Sequence, residues 1–173
     1  AMARISHPNV VGVLDAGILD NEFFVVMEHI EGQTLDLWLQ SRPAGKTVLD
    51  ILRQIAAGIQ SVHAAGLVHR DIKPTNVIIT PESTAKLLDF GLARPATVAD
   101  HADHARDQAG TPAYMAPELL RGEPASPQSD IYAFCLLADD ALRSHPHDRA
   151  RGFLQAGRAA DPGARPASIA PFL

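Results

Sequence analysis

Asp71, Lys73 and Asn76 fall within the stretch His69-Arg70-Asp71-Ile72-Lys73-Pro74-Thr75-Asn76. A carboxylate at Asp71 could accept a proton from a nucleophile. An ammonium at Lys73 could offset charge on a moving phosphoryl group, and the Asn76 amide oxygen could ligate Mg²⁺. The chemistry that uses all three in one short loop is phosphoryl transfer. Further along, Asp89-Phe90-Gly91 offers a second oxygen ligand for the same hard cation. A single Asp, Asn or Lys is usually nothing more than surface. It is the joint spacing and order of these residues that argues for a site.

Such a site needs short, rigid elements around it. Apolar strands are expected at 67–68, 77–79 and 86–88, with Pro81-Glu82-Ser83 turning the chain between the last two. That arrangement puts Asn76 and Asp89 at the ends of neighbouring strands, facing one place. Leu52, Ile55, Ile59 and Val62 share one face of a helix predicted over 48–64, which Gly66 ends with a left-handed cap. Upstream, residues 1–6 read as the end of a helix, with Met2 and Ile5 in helical spacing, and His7-Pro8-Asn9 breaks it. Strands are predicted at 10–16 and 22–29, joined through Asp20-Asn21 as a hairpin. Thr34 is expected to cap a short helix over 35–40, and a second apolar helix runs from Ser129 to about Leu142. Residues 92–115 read as a long polar loop.

Composition narrows the classes. The chain of 173 residues is 46% hydrophobic with a net charge of −5, enough for one domain with a sizeable core. The acidic balance gives no electrostatic case for nucleic acid or an anionic membrane. No apolar run reaches transmembrane length, and no membrane contact is evident in the segment. The single cysteine, Cys135, precludes an internal disulfide and fits a reducing compartment, so a cytoplasmic location is expected. His101 and His104 lack a second pair of ligands and read as solvated loop residues, not a metal site.

The two motifs, together with Gly110-Thr111-Pro112-Ala113-Tyr114-Met115-Ala116-Pro117-Glu118, resemble the eukaryotic-like (Hanks-type) serine/threonine protein kinases over most of the chain. The resemblance implies an α+β fold, a kinase large lobe that is mainly helical with short β-hairpins at the active site, plus a remnant of the small lobe. Residues 1–27 would be that remnant, 28–33 the hinge and 34–173 the large lobe, shortened after the 129–142 helix. It also implies roles for individual residues. Asp71 orients the nucleophile and takes its proton. Lys73 steadies the γ-phosphate of ATP and favours Ser/Thr over Tyr substrates, and Asn76 and Asp89 hold Mg²⁺. Met27 is the gatekeeper, Glu28 and Ile30 present backbone groups to adenine, and Ile78 is the apolar floor beneath it. His69 packs in a stack with Phe90 and Val13. Thr111 belongs to the peptide-positioning loop, Asp130 hydrogen-bonds backbone near the catalytic loop, and Arg165 pairs with Glu118. Asp107 stands where many relatives carry a phosphorylated threonine. It is read either as a permanent, weaker charge for Arg70 or as a solvated loop acid.

Two departures qualify the activity. The family's glycine-rich loop and strand lysine are absent, and the chain is expected to start inside the regulatory helix, so this segment alone should be poorly active. A shortened stretch follows the Asp130 helix, where the family docks substrates. The alternative is a non-catalytic kinase-like binding or scaffold module, or an inactive fragment. The partners implied are ATP and a protein with a Ser or Thr hydroxyl.

Overall fold

The longest helix explains most of the core. In a computed structural model, which describes residues 5–19, 22–88, 94–95, 112–145 and 148–173, helix α2 spans Gly45–Ala64. Val48, Ile51, Leu52, Ile55, Ile59 and Val62 are each at most 1% exposed. That buried stripe follows the 3.6-residue period, so one face of the helix is apolar along its length. Burying side chains of this size stabilises by about 1.5–3 kcal/mol each, which makes α2 the main anchor of the fold. It ends at Ala64 with Ala65 as C-cap, and Gly66 follows with φ +73, the left-handed cap expected there.

The remaining elements pack around it. Strands β1 (Val13–Leu19) and β2 (Glu22–Met27) form an antiparallel hairpin. Strand β3 (Gln33–Thr34) leads into helix α1 (Leu35–Gln40). After α2 come β4 (Leu67–Val68), β5 (Val77–Ile79), β6 (Ala85–Leu87) and β7 (Arg94–Pro95). Helices α3 (Pro117–Leu120), α4 (Pro127–Leu142) and α5 (Asp148–Gly157) complete the order. Among the described residues these form three small sheets: β1-β2, β3-β5-β6 and β4-β7. Helix α4 is buried through Ile131, Phe134, Leu137, Ala138 and Leu142, and it shares one core with α2, α5, β5 and β6. Phe172 closes that core with its ring edge on Phe134, at 4.8 Å between centroids.

Several sequence expectations need correcting. The first strand begins at Val13, not at residue 10. Val10 instead bridges Leu87 in parallel, and the Val11 N–H donates to the Leu87 carbonyl at 2.9 Å. Asn9 sets this arrangement: its amide donates to the Ala85 carbonyl at 2.9 Å and to Gln54 Oε1 at 3.1 Å. The second strand stops at Met27, two residues before the expected end, and the Glu28 N–H donates to the Gly12 carbonyl. Helix α2 begins three residues early, at Gly45. Strand β6 covers Ala85–Leu87, one residue earlier than expected. Thr34 does occupy the N-cap position of α1, but its side chain makes no capping hydrogen bond. Ile5 and Ser6 are not helical, while Met2, the Asp20-Asn21 turn, residues 96–111 with His101 and His104, and the residues Asp89, Phe90, Asp107 and Thr111 lie outside the described residues.

Gly58 marks where the Asn9 loop meets α2. A Cβ there would lie 2.8 Å from the Asn9 carbonyl oxygen, a backbone atom. Helix propensity alone favours alanine over glycine by about 1 kcal/mol, whereas overpacking costs roughly 1–3 kcal/mol. Gly58→Ala is therefore expected to lower stability by about 1 kcal/mol in a urea titration. A raised midpoint would show that the Asn9 loop yields freely.

Candidate functional site

The loop from His69 to Asn76 is held by a carboxylate on another element. Asp130, 1% exposed in the first turn of α4, accepts the His69 N–H on Oδ2 and the Arg70 N–H on Oδ1, each at 2.8 Å. His63, in the last turn of α2, adds its Nε2 to Oδ2 at 2.8 Å. This support matters because Arg70 has φ +76, a left-handed conformation that costs a non-glycine residue on the order of 1 kcal/mol. His69 is fully buried, and its Nε2 meets the Leu88 carbonyl at 2.8 Å. The Leu88 N–H donates to the Asn76 carbonyl at 2.8 Å. Leu88, which follows β6 and precedes Asp89, is thus tied to both ends of the loop.

Within the loop, one carboxylate oxygen collects two donors. Lys73 Nζ lies 2.7 Å from Asp71 Oδ2, and the Asn76 amide donates to the same oxygen at 2.7 Å and to the Asp71 carbonyl at 2.9 Å. Both side-chain contacts fall on Oδ2, which leaves Oδ1 of Asp71 to accept a further proton. Asn76 is 6% exposed, and with its NH₂ so engaged its amide oxygen remains as the acceptor. A short 3-10 turn over Pro74–Asn76, with proline in its first position, gives the loop this shape. Lys73 and Asp71 remain partly exposed.

The predicted adenine-side residues lie on β2, β5 and the segment between β2 and β3. Met27 ends β2 and is 38% exposed. Ile78 sits in the middle of β5, opposite Lys86 of β6 and paired to Thr34 of β3. The Glu28 carboxylate accepts the Lys86 ammonium at 2.9 Å and the Gly12 N–H at 2.8 Å. The Lys86 and Gly12 hydrogen bonds hold it below the ordinary carboxylate range. Ile30 lies between β2 and β3.

Arg165 and Glu118 meet deep in the fold. The guanidinium reaches both carboxylate oxygens, at 2.6 and 2.7 Å, and adds contacts to the carbonyls of Gln128, Ala159 and Ala160. Ser129 Oγ donates to Glu118 Oε1 at 2.8 Å, and the arginine lies over the Tyr132 ring. Burial works to raise the Glu118 carboxyl, but the bonds from Arg165, Ser129 and the backbone outweigh it and hold the carboxyl low. Burial pushes the Cys135 thiol up to about 12, so it is inert at neutral pH.

Sequence reasoning missed three partners. His63 supports Asp130, Lys86 pairs with Glu28, and Gln54 joins Asn9 to the Ala85 N–H. His63 and Gln54 lie on the predicted α2, so the sequence signal was only a polar residue on a mostly apolar helix. Among the described residues no cluster of His, Cys, Asp and Glu could hold a metal, and no helix is long and apolar enough to cross a membrane.

Residues 1–153 match the protein kinase domain family, which defines the class, and the chain belongs to it. Its relatives carry the serine/threonine branch of that family. It is 40% identical over 147 residues to the serine/threonine-protein kinase PknL of Mycobacterium tuberculosis, covering 84% of this chain and 37% of that protein. It is 36% identical over 144 residues to a probable serine/threonine-protein kinase, PknB, of Lactococcus lactis, covering 82% of this chain and 23% of the relative. Against PknD of Mycobacterium tuberculosis the identity is 35% over 178 residues, 97% of this chain and 26% of that protein. Each of these relatives is named as a serine/threonine-protein kinase, and the chain spans well under half the length of each.

Proposed function

We propose that this chain carries the large lobe of a protein kinase catalytic domain, with residues 1–27 a small-lobe remnant and 28–33 the hinge. In this reading it transfers the γ-phosphate of Mg-ATP to a protein Ser or Thr hydroxyl, weakly as the isolated segment. The observation that carries the reading is the Asp71 carboxylate, gripped on one oxygen by Lys73 and Asn76 at 2.7 Å. Asp71 Oδ1 would take the hydroxyl proton as the oxygen attacks the γ-phosphorus, and the bond from that phosphorus to ADP breaks. Lys73 would offset the charge on the moving phosphoryl group. Asn76 and Asp89 supply oxygen donors, which suit a hard cation, and a bound Mg²⁺ would neutralise charge on the phosphates. Glu28 and Ile30 would offer backbone groups to adenine above Ile78, beside Met27. Thr111 would position the peptide, and Asp107 would give Arg70 a permanent counter-charge. A cytoplasmic location belongs to the same reading and rests on the lone, buried Cys135.

Thermal shift with Mg-ATP tests this. A concentration-dependent rise in Tm, lost in both Asn76→Ala and Asp89→Ala, is expected. At a ligand concentration about 100-fold above Kd the stabilisation should approach roughly 2.7 kcal/mol. No shift in the parent chain would favour a scaffold module or an inactive fragment.

A further inference from the structure

The Glu28–Lys86 pair takes no part in the steps above, yet it joins three parts of the chain at one oxygen. Glu28 Oε1 accepts the Gly12 N–H at 2.8 Å and the Lys86 ammonium at 2.9 Å, while the Glu28 N–H donates back to the Gly12 carbonyl at 2.9 Å. Gly12 precedes β1, Glu28 follows β2, and Lys86 lies in β6, which belongs to the β3-β5-β6 sheet. Lys86 is the register partner of Ile78, and directly opposed residues of an antiparallel pair stand on the same face. The side chains are 19% and 37% exposed, and a pair that open to water contributes little to global stability. Its consequence is therefore local: it sets where the segment leaving β2 lies relative to the strand that carries Ile78.

We propose that Lys86 is a positioning residue for the nucleotide, holding the Glu28 carboxylate against Gly12 and so fixing the backbone of residues 28–30 beside β5. This rests on the nucleotide-site reading given above. A lysine suits the task because its compact ammonium can serve an oxygen already engaged by a backbone N–H. Methionine in its place would keep most of the aliphatic stem and remove only the charge.

The test compares the parent chain with Lys86→Met and Lys86→Arg. Calorimetry measures binding of Mg-ADP and of Mg-tripolyphosphate, and amide hydrogen exchange is followed at Gly12 and Glu28. Lys86→Met is expected to weaken Mg-ADP about fivefold, the upper range for a partly exposed pair, and to leave tripolyphosphate unchanged. Exchange at Gly12 and Glu28 should quicken by a similar factor while exchange in α2 stays the same, and Lys86→Arg should restore most of both effects. A general packing role would not separate a ligand with adenine from one without. Equal Mg-ADP affinity in Lys86→Met and the parent, or equal loss for the two ligands, overturns the proposal. If the parent binds no Mg-ADP, the nucleotide reading falls, and exchange then decides the tie alone: unaltered protection at Gly12 and Glu28 in Lys86→Met overturns it, and faster exchange upholds it.

Discussion

Arg165→Ala is expected to lower the stability of this domain by roughly 3–5 kcal/mol, the range for removing one partner of a buried ion pair. The guanidinium is fully buried and the Glu118 side chain is 3% exposed. Truncating the arginine strands a carboxylate that cannot reach water, together with the carbonyls of Gln128, Ala159 and Ala160. It also frees three places at once: α3 through Glu118, the start of α4 through Gln128, and the segment after α5. Most domains have only about 5–15 kcal/mol in total, so the variant should be largely unfolded at 37 °C. Urea titration followed by circular dichroism measures the effect. A loss below about 1 kcal/mol would show that the pair closes no essential gap. Replacing both partners by apolar residues of similar volume should cost much less than the single change, because no charge is then left alone. The sign of the pH effect follows from the low Glu118 carboxyl. A carboxyl whose folded pKa is depressed contributes stability above the ordinary value of 4.5 and loses it as pH falls through the folded pKa. Parent and Arg165→Ala should therefore converge in stability at strongly acid pH.

Asp71→Asn should lower kcat for phosphorylation of a Ser or Thr peptide by about 10²–10⁴-fold, the usual contribution of a positioned general base. The amide keeps the size of the carboxylate and can still accept from Asn76, so the loop should keep its shape. What disappears is the proton acceptor and the anionic partner of Lys73. The effect should appear in kcat, with the Mg-ATP thermal shift preserved, since no nucleotide contact is assigned to Asp71. A variant that kept more than a tenth of the parent's transfer rate would remove Asp71 from the proton-accepting role. Loss of transfer together with loss of the Mg-ATP shift would point instead to a collapsed loop.

What could be read from the chain without coordinates was whatever is coded locally. Asp71, Lys73 and Asn76 lie so close in sequence that a loop with a proline-started turn can bring them together unaided. The stripe of α2 repeats with the helical period, so its buried face followed from spacing, although its start did not: Gly45 is a poor helix former and carries no signal of its own. The Gly66 cap followed from glycine's freedom at positive φ. The Arg165–Glu118 and Asp130 contacts span long stretches of chain and were reached only through the resemblance, since spacing says nothing about pairs so far apart.

Only the folded chain decided the remaining features, because they depend on partners remote in sequence. Strand 10–16 looked continuous, but Asn9 and the edge of β6 claim its first residues and leave the hairpin to start at Val13. A strand's limits are set by whatever offers it hydrogen bonds, and the sequence does not name that partner. Thr34 had the right residue type for a cap, yet it belongs to β3, where its backbone is committed to β5. His63 and Lys86 gave no local sign of their roles, because a polar side chain's partner is chosen by packing. The amino-acid order therefore determined which groups the proposed phosphate chemistry would use, and the helix of the core. Tertiary packing decided which carboxylate steadies each loop, since a charge near the interior settles on whatever donor the fold brings within hydrogen-bonding distance.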